Sequence, residues 1–162
     1  MNDKILPLLG RRSVRVYRPG EVVSDDELRA LLEAAMAAPS ARACDPWRFL
    51  VVRERADLDA LADLLPYGKM LRQAALGIIV CGDQAQANRQ ELSYLLQDCS
   101  AAVQNLLIAA HLLGLGERDV VIDAAPQERI GQALLRVRRD DDDRAALGID
   151  ARSSRIGSRR AG

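Results

Sequence analysis

The chain has 162 residues, 49% of them hydrophobic and 28% charged, and its 23 basic and 23 acidic side chains cancel to a formal net charge of zero. That length suits one domain with a real core, and the charge balance gives no push towards nucleic acid or an anionic membrane, so any phosphate site must be local. No apolar run reaches membrane-spanning length and MNDKILPLL does not read as a signal peptide, so a cytoplasmic protein is expected, and a single histidine argues against a His-based metal site.

In chain order, Lys4 to Leu9 shows a short apolar pattern (Ile5, Leu6, Leu8, Leu9) closed by Gly10, which fits a short helix ending in a loop. The loop opens on a basic cluster, Arg11, Arg12, Ser13, Val14, Arg15. Ser24 is a good N-cap, with Asp25, Asp26 and Glu27 in the first turn and Glu27 at the capping-box position. Leu28, Leu31, Leu32, Ala35 and Met36 mark the buried face of that helix. Pro39 ends it, and Ser40 to Pro46 forms a loop.

Trp47 to Val52 is a compact strand signal, and Ala56 to Leu65 returns to helical spacing through Leu58, Leu61, Ala62 and Leu65. Pro66, Tyr67 and Gly68 make a turn. Ala74 to Cys81 reads as a fully buried strand closed by Gly82 and Asp83.

The stretch from Glu91 to Gly116 is the expected centre of the fold. Leu92, Leu95, Leu96, Cys99, Val103, Leu106, Leu107, Ala110 and Leu113 fall at helical spacing, no proline intervenes, and Gly114 and Gly116 supply the permissive backbone that ends a helix. Helical from about Ala87 to Leu113, it would be about 40 Å long, a small-domain diameter. Cys44, Cys81 and Cys99 lack CxxC spacing and read as reduced structural thiols, Cys99 as a small core residue.

All five aromatic residues lie at or before Tyr94. Beyond the central helix, Asp119 to Ala124 reads as a strand, Pro126 to Val137 as a helix and Ala145 to Ile149 as a short strand, with a charge run at Asp140 to Asp143. One domain over 1–150 is expected, followed by a mobile basic tail over 151–162, where Arg, Ser and Gly leave little to bury. The element order favours a mixed sheet with helices on both faces.

Two loops carry candidate chemistry. Arg11, Arg12, Ser13 and Arg15 place cations around a small hydroxyl, a set that can hold a phosphate through charge-assisted, often bidentate bonds. A basic cluster alone is more often a solvated face. Pro39, Ser40 and Ala41, followed by Pro46 and Trp47, read most plainly as a helix stop, a loop and the start of a strand. Lys69 and His111 have equally ordinary readings, a solvated lysine before a strand and a satisfied or interface histidine.

Taken in order, RRSVRVY, DDELRALLEAAMAAPSA, DPWRFLVV, GIIVCGD and DCSAAVQNLLIAAHLLGLG resemble the FMN-dependent nitroreductase family, from about Leu6 to Gly116. The resemblance implies an α+β fold: a three-layer α/β/α sandwich with a mixed, mainly antiparallel sheet, a long central helix, and an intertwined homodimer with FMN at the subunit interface. It maps FMN phosphate and ribityl contacts onto Arg11, Arg12, Ser13 and Arg15, and a flavin contact from the partner subunit onto Pro39, Ser40 and Ala41. Met36 and Leu106 are then expected to be buried.

The implied activity is an oxidoreductase using NAD(P)H as co-substrate and reducing a nitroaromatic, quinone or similar electron-poor small molecule by a ping-pong mechanism. No catalytic side chain is required, because the flavin carries the chemistry; a cation such as Arg15 would stabilise negative charge on the reduced ring. No metal, nucleic acid or membrane partner is implied. Where many family members carry Asn and Gln in the second loop, this chain has Ala43 and Asp45, and Asp45 is expected to face solvent or pair with Arg42 or Arg48.

The family's later part, an aromatic strand and a terminal cation for the phosphate, is matched only faintly after Gly116; Arg152, Arg155, Arg159 and Arg160 are equally placed to supply that cation. The alternative is a dimerisation module of nitroreductase type that no longer holds flavin. A third reading, a related flavin enzyme for a halogenated or specialised substrate, lacks the substrate-recognition insertions.

Overall fold

A computed structural model describes residues 2–18, 20–115 and the backbone of 120–123. The expected helix at 126–137, the strand at 145–149 and the tail at 151–162 lie outside the described residues.

Ser24 starts the first long helix as its sequence requires. Its hydroxyl accepts from the Glu27 N–H while Glu27 returns a carboxylate to the Ser24 N–H at 2.8 Å, a complete capping box. The helix, α2 (Asp25–Met36), follows a short α1 (Leu6–Gly10) and buries Leu28, Leu31 and Ala35. Met36 corrects the sequence reading: at the last helical position it turns off the buried stripe and is 37% exposed in the single chain, whereas Leu106 is fully buried.

Strand β1 (Trp47–Val52) pairs antiparallel with β2 (Leu76–Gly82), Trp47 opposite Gly82 and Val52 opposite Gly77. Between them lies α3 (Arg55–Leu64). Strand β3 (Val120–Asp123) runs parallel to β2, with Leu76 opposite Val120. Parallel neighbours need a crossover, and the long helix α4 (Leu92–Leu112) supplies it. The described sheet is therefore mixed, in the order β1, β2, β3.

Alternation along β2 divides the core. Leu76, Ile78 and Val80 meet residues of α2 and α4, while Ile79 and Cys81 share a cluster with Leu58, Leu61, Ala62 and Leu71 on the other side. Helices thus cover both faces of the strand pair, as the element order suggested. Gly82 permits a close approach here: a Cβ on it would lie 2.5 Å from Cδ1 of Leu95.

The central helix is shorter than its apolar pattern implied. Its 21 residues span about 31 Å, and it starts at Leu92 because Arg89 and Gln90 hold left-handed backbone at φ 54° and 56°. Gly114, at φ 70°, ends it as expected. One flank buries Leu95, Asp98, Cys99, Ala102, Leu106 and Ala110, and Asn105 ties the helix to α2 by donating to the Ala34 carbonyl at 3.1 Å. Leu92, Leu96 and Leu113, expected on the same buried face, are exposed at 54%, 58% and 40%, since the apolar surface is wider than the sheet and α2 can cover.

Candidate functional site

The first loop leaves the end of α1, where Gly10 brings the chain against α4: a Cβ there would sit 3.0 Å from Nε2 of His111. Seven residues on, the loop is pinned by Tyr17, which is buried and donates its hydroxyl to the Val14 carbonyl at 3.3 Å and towards the Met70 sulfur at 3.8 Å. Between these anchors the chain has no regular structure.

The three arginines differ. Arg12 spends Nη1 on its own chain, donating to the carbonyls of Leu9 at 2.6 Å and Arg11 at 2.9 Å, so it finishes α1. Arg11 is half-buried and Arg15 exposed, and neither guanidinium forms a hydrogen bond or ion pair among the described residues; Ser13 is likewise exposed and unbonded. Two cations and a hydroxyl within five residues thus stand open to a ligand.

The second loop is held from inside. Ser40 donates its hydroxyl to Asp45 Oδ1 at 2.5 Å and accepts from the Asp45 N–H at 3.0 Å. Asp45 is exposed, the first of the two expected arrangements, and bonds Ser40; of the arginines expected as its alternative partners, Arg48 pairs with Asp83 at 3.4 Å. Arg42, Ala43 and Asp45 all carry positive φ, 57°, 54° and 48°. Each such residue costs about 1–2 kcal/mol against ordinary backbone, so other contacts must hold the shape. Pro39 is exposed and Ser40 and Ala41 are half-buried.

One of those contacts involves a residue the sequence reading passed over. Asp98 of α4, 5% exposed, accepts from the Ala41 N–H through Oδ1 at 2.9 Å. Its other oxygen, Oδ2, is buried with no hydrogen-bond partner among the described residues. The signal was present: Asp98 stands three residues after Leu95 and four before Ala102, on the buried flank of an amphipathic helix, where an unexplained carboxylate is costly.

No hydrogen bond or ion pair joins the Arg11–Arg15 group to the Pro39–Ala41 group among the described residues. Lys69 is exposed and lines a shallow cavity of about 360 Å³ with Leu65, Pro66 and Arg72; none of the seven predicted contact residues borders it. Among the described residues there is no cluster able to hold a metal ion and no helix long and apolar enough to cross a membrane.

Cys99 is buried beside Asp98, and its thiol is pushed up to about 11, first by burial, then by the charges of Asp98 and Cys81. The folded thiol therefore keeps its proton above the ordinary 9.0, and the unfolded chain binds fewer protons in between. Stability from this group is complete below about pH 9 and falls as pH rises towards about 11. Denaturant unfolding followed across that window should show a steeper loss for the wild type than for Cys99→Ala, and parallel curves would contradict the assignment.

Comparison with known proteins completes the picture. Residues 8–67 match the model of the Nitroreductase family. An Archaeoglobus fulgidus protein provisionally named NADH dehydrogenase/NAD(P)H nitroreductase is 38% identical over 83% of this chain and 75% of its own length. A crystal structure of a protein under the same provisional name from Bacteroides thetaiotaomicron is 38% identical, covers 86% of this chain and 78% of that one, and superposes with a TM-score of 0.70. A Desulfovibrio desulfuricans protein, provisionally named a nitroreductase and crystallised in complex with FMN, is 39% identical over 70% of this chain and 64% of that one, with a TM-score of 0.63. With the α+β architecture, the order of motifs and a relative matched over three quarters of its length, this chain belongs to the nitroreductase family.

Proposed function

We propose that the protein is a cytoplasmic, FMN-dependent oxidoreductase that takes electrons from NADH or NADPH and passes them to nitroaromatic, quinone or similar electron-poor acceptors. The observation that carries this reading is the pair of guanidiniums, Arg11 and Arg15, and the hydroxyl of Ser13 beside them, none of which has a partner among the described residues. That donor set suits a phosphate-bearing cofactor, and the FMN complex of the Desulfovibrio desulfuricans relative supports FMN as that cofactor.

Bound FMN supplies hydride and electron transfer. Arg11, Ser13 and Arg15 would hold its phosphate and ribityl chain, and Arg15 would favour negative charge on the reduced ring. Arg12 contributes through the loop's shape, since its Nη1 already bonds Leu9 and Arg11. The second loop, Pro39 to Ala41, would reach the flavin of the partner subunit with its backbone, because the Ser40 hydroxyl is engaged by Asp45.

The three-layer, intertwined homodimer belongs to the same proposal. Its support is the exposed apolar surface of Leu92, Leu96, Leu112 and Leu113 on α4 and of Leu8 and Leu9 on α1, which a second subunit would cover together with Met36. Steady-state kinetics with NADH and a quinone test the activity. Parallel double-reciprocal lines that require FMN are expected; FMN-independent oxidation or converging lines would overturn the ping-pong scheme.

A second reading, a dimerisation module without flavin, draws on one observation: the Ser40 hydroxyl, an expected flavin contact, is already bonded to Asp45. It predicts a stable dimer with no FMN-dependent NADH oxidation, so the same assay separates the two.

A further inference from the structure

The second loop has a shape that its sequence alone does not favour. Three of the four residues from Arg42 to Asp45 are non-glycine residues in left-handed backbone. Within the loop, the Ser40–Asp45 exchange and the turn bonds from Ala43 N–H to Ser40 O and Cys44 N–H to Ala41 O hold it together. These bonds fix the loop to itself, and its two ends are held by the buried Ala38, Pro46 and Trp47. Among the described residues, its hydrogen bond to the central helix is that from the Ala41 N–H to the Asp98 carboxylate, spanning 57 positions of sequence.

Asp98 is a poor choice for stability alone. Its side chain is withdrawn from water among Leu95, Cys99 and Ala102, it satisfies one oxygen with one neutral donor, and it leaves Oδ2 without a partner among the described residues. A buried carboxylate so incompletely bonded costs more than a small apolar side chain in its place. What the carboxylate does provide is a strong, directional, charge-assisted acceptor for one backbone N–H of the loop.

We propose that Asp98 is a positioning residue for flavin binding: it fixes the Ser40–Asp45 loop on α4 through the Ala41 N–H, and so sets where the loop's backbone meets the cofactor. The inference rests on the reading of the protein as an FMN enzyme. It adds a residue that touches no cofactor and acts only through Ala41.

The role separates stability from affinity. Asp98→Leu removes a buried, half-satisfied charge from an apolar environment, so the full-length chain should keep or raise its melting temperature while FMN affinity falls by about ten- to hundredfold, the effect of losing one charge-assisted bond. Asp98→Asn retains an acceptor oxygen for Ala41 and should hold affinity within about threefold. Ala41→Pro removes the same bond from the loop side without touching the core and should reproduce the affinity loss. In the double variant, Asp98→Leu should then add nothing further, which is the test that the two residues act as one unit.

FMN fluorescence titrations of wild type, the three single variants and the double variant give the affinities; thermal melts and amide exchange at Ala41 give stability and the state of the bond. Support is weaker FMN binding with faster Ala41 exchange in Asp98→Leu, rescue by asparagine, and no added loss in the double variant. If Asp98→Leu fails to fold, Ala41→Pro decides by its own titration. Wild-type affinity in Asp98→Leu or Ala41→Pro, equal losses in the leucine and asparagine variants, or multiplying losses in the double variant would overturn the proposal alone. A wild type that binds no FMN would overturn the functional reading and this inference with it.

Discussion

Replacing Arg11 and Arg15 together with alanine is expected to weaken FMN binding by about a hundredfold or more. Each hydrogen bond to a charged partner is worth about 1.5–3 kcal/mol, and each 1.4 kcal/mol is a tenfold change in affinity. The single variants should lose about tenfold each, because among the described residues neither guanidinium has a partner that would retain it or compensate for its removal. Arg12→Ala is the internal control. Its Nη1 already bonds the Leu9 and Arg11 carbonyls, so its loss should loosen the end of α1 and change FMN affinity much less. Arg15→Lys keeps the charge without the planar fork and should fall between wild type and alanine. Equilibrium titrations at low and moderate salt measure all five. Equal losses for Arg12 and Arg15 would contradict the division of labour seen in the loop.

The second large effect concerns stability. Leu106 is fully buried in the C-terminal half of α4, in one cluster with Leu31, Ala35, Ile78 and Leu115, so it joins the central helix to both α2 and the sheet. Leu106→Ala removes three carbons where two rigid elements cannot close the gap, and should cost about 2–5 kcal/mol. Against a total stability of about 5–15 kcal/mol, that is a large share. Leu106→Met conserves volume and should cost less than about 1.5 kcal/mol. Denaturant unfolding of both variants checks this, and an alanine variant within about 0.5 kcal/mol of wild type would contradict the placement of Leu106 at the junction. The apolar Leu96 on the same helix is 58% exposed, so its substitution should act on assembly rather than on the fold of one chain.

What was legible in the sequence followed from local physics. The Ser24–Glu27 box, the strand Trp47–Val52, the helix following it and the αL stop at Gly114 each rest on short-range rules, and the chain obeys them. The start of the central helix was not legible, because Ala87 to Gln90 contains nothing unfit for a helix; the break comes from the left-handed Arg89 and Gln90. Burial on α4 was half legible. Periodicity identifies an apolar face, but it cannot divide that face between the chain's own core and surface left outside it, so Leu92, Leu96 and Leu113 were misplaced, as was Met36 on α2.

The site divides in the same way. The arginine-serine cluster could be found from composition and order, whereas the difference between an engaged Arg12 and open Arg11 and Arg15 depends on where α1 ends. The Ser40–Asp45 exchange and the Asp98 tether need backbone geometry that no spacing rule supplies. Asp98 itself was hidden by the strength of the pattern around it, one charge in a long apolar helix.

Sedimentation velocity of the full chain with FMN, followed at once by protein absorbance and in the flavin's visible band, tests the central claim most directly. The account predicts that flavin travels with a species of twice the 17.7 kDa chain, one FMN per chain, and that Arg11→Ala/Arg15→Ala leaves the flavin behind without altering the dimer. Flavin remaining free while the protein sediments as a single chain would contradict it.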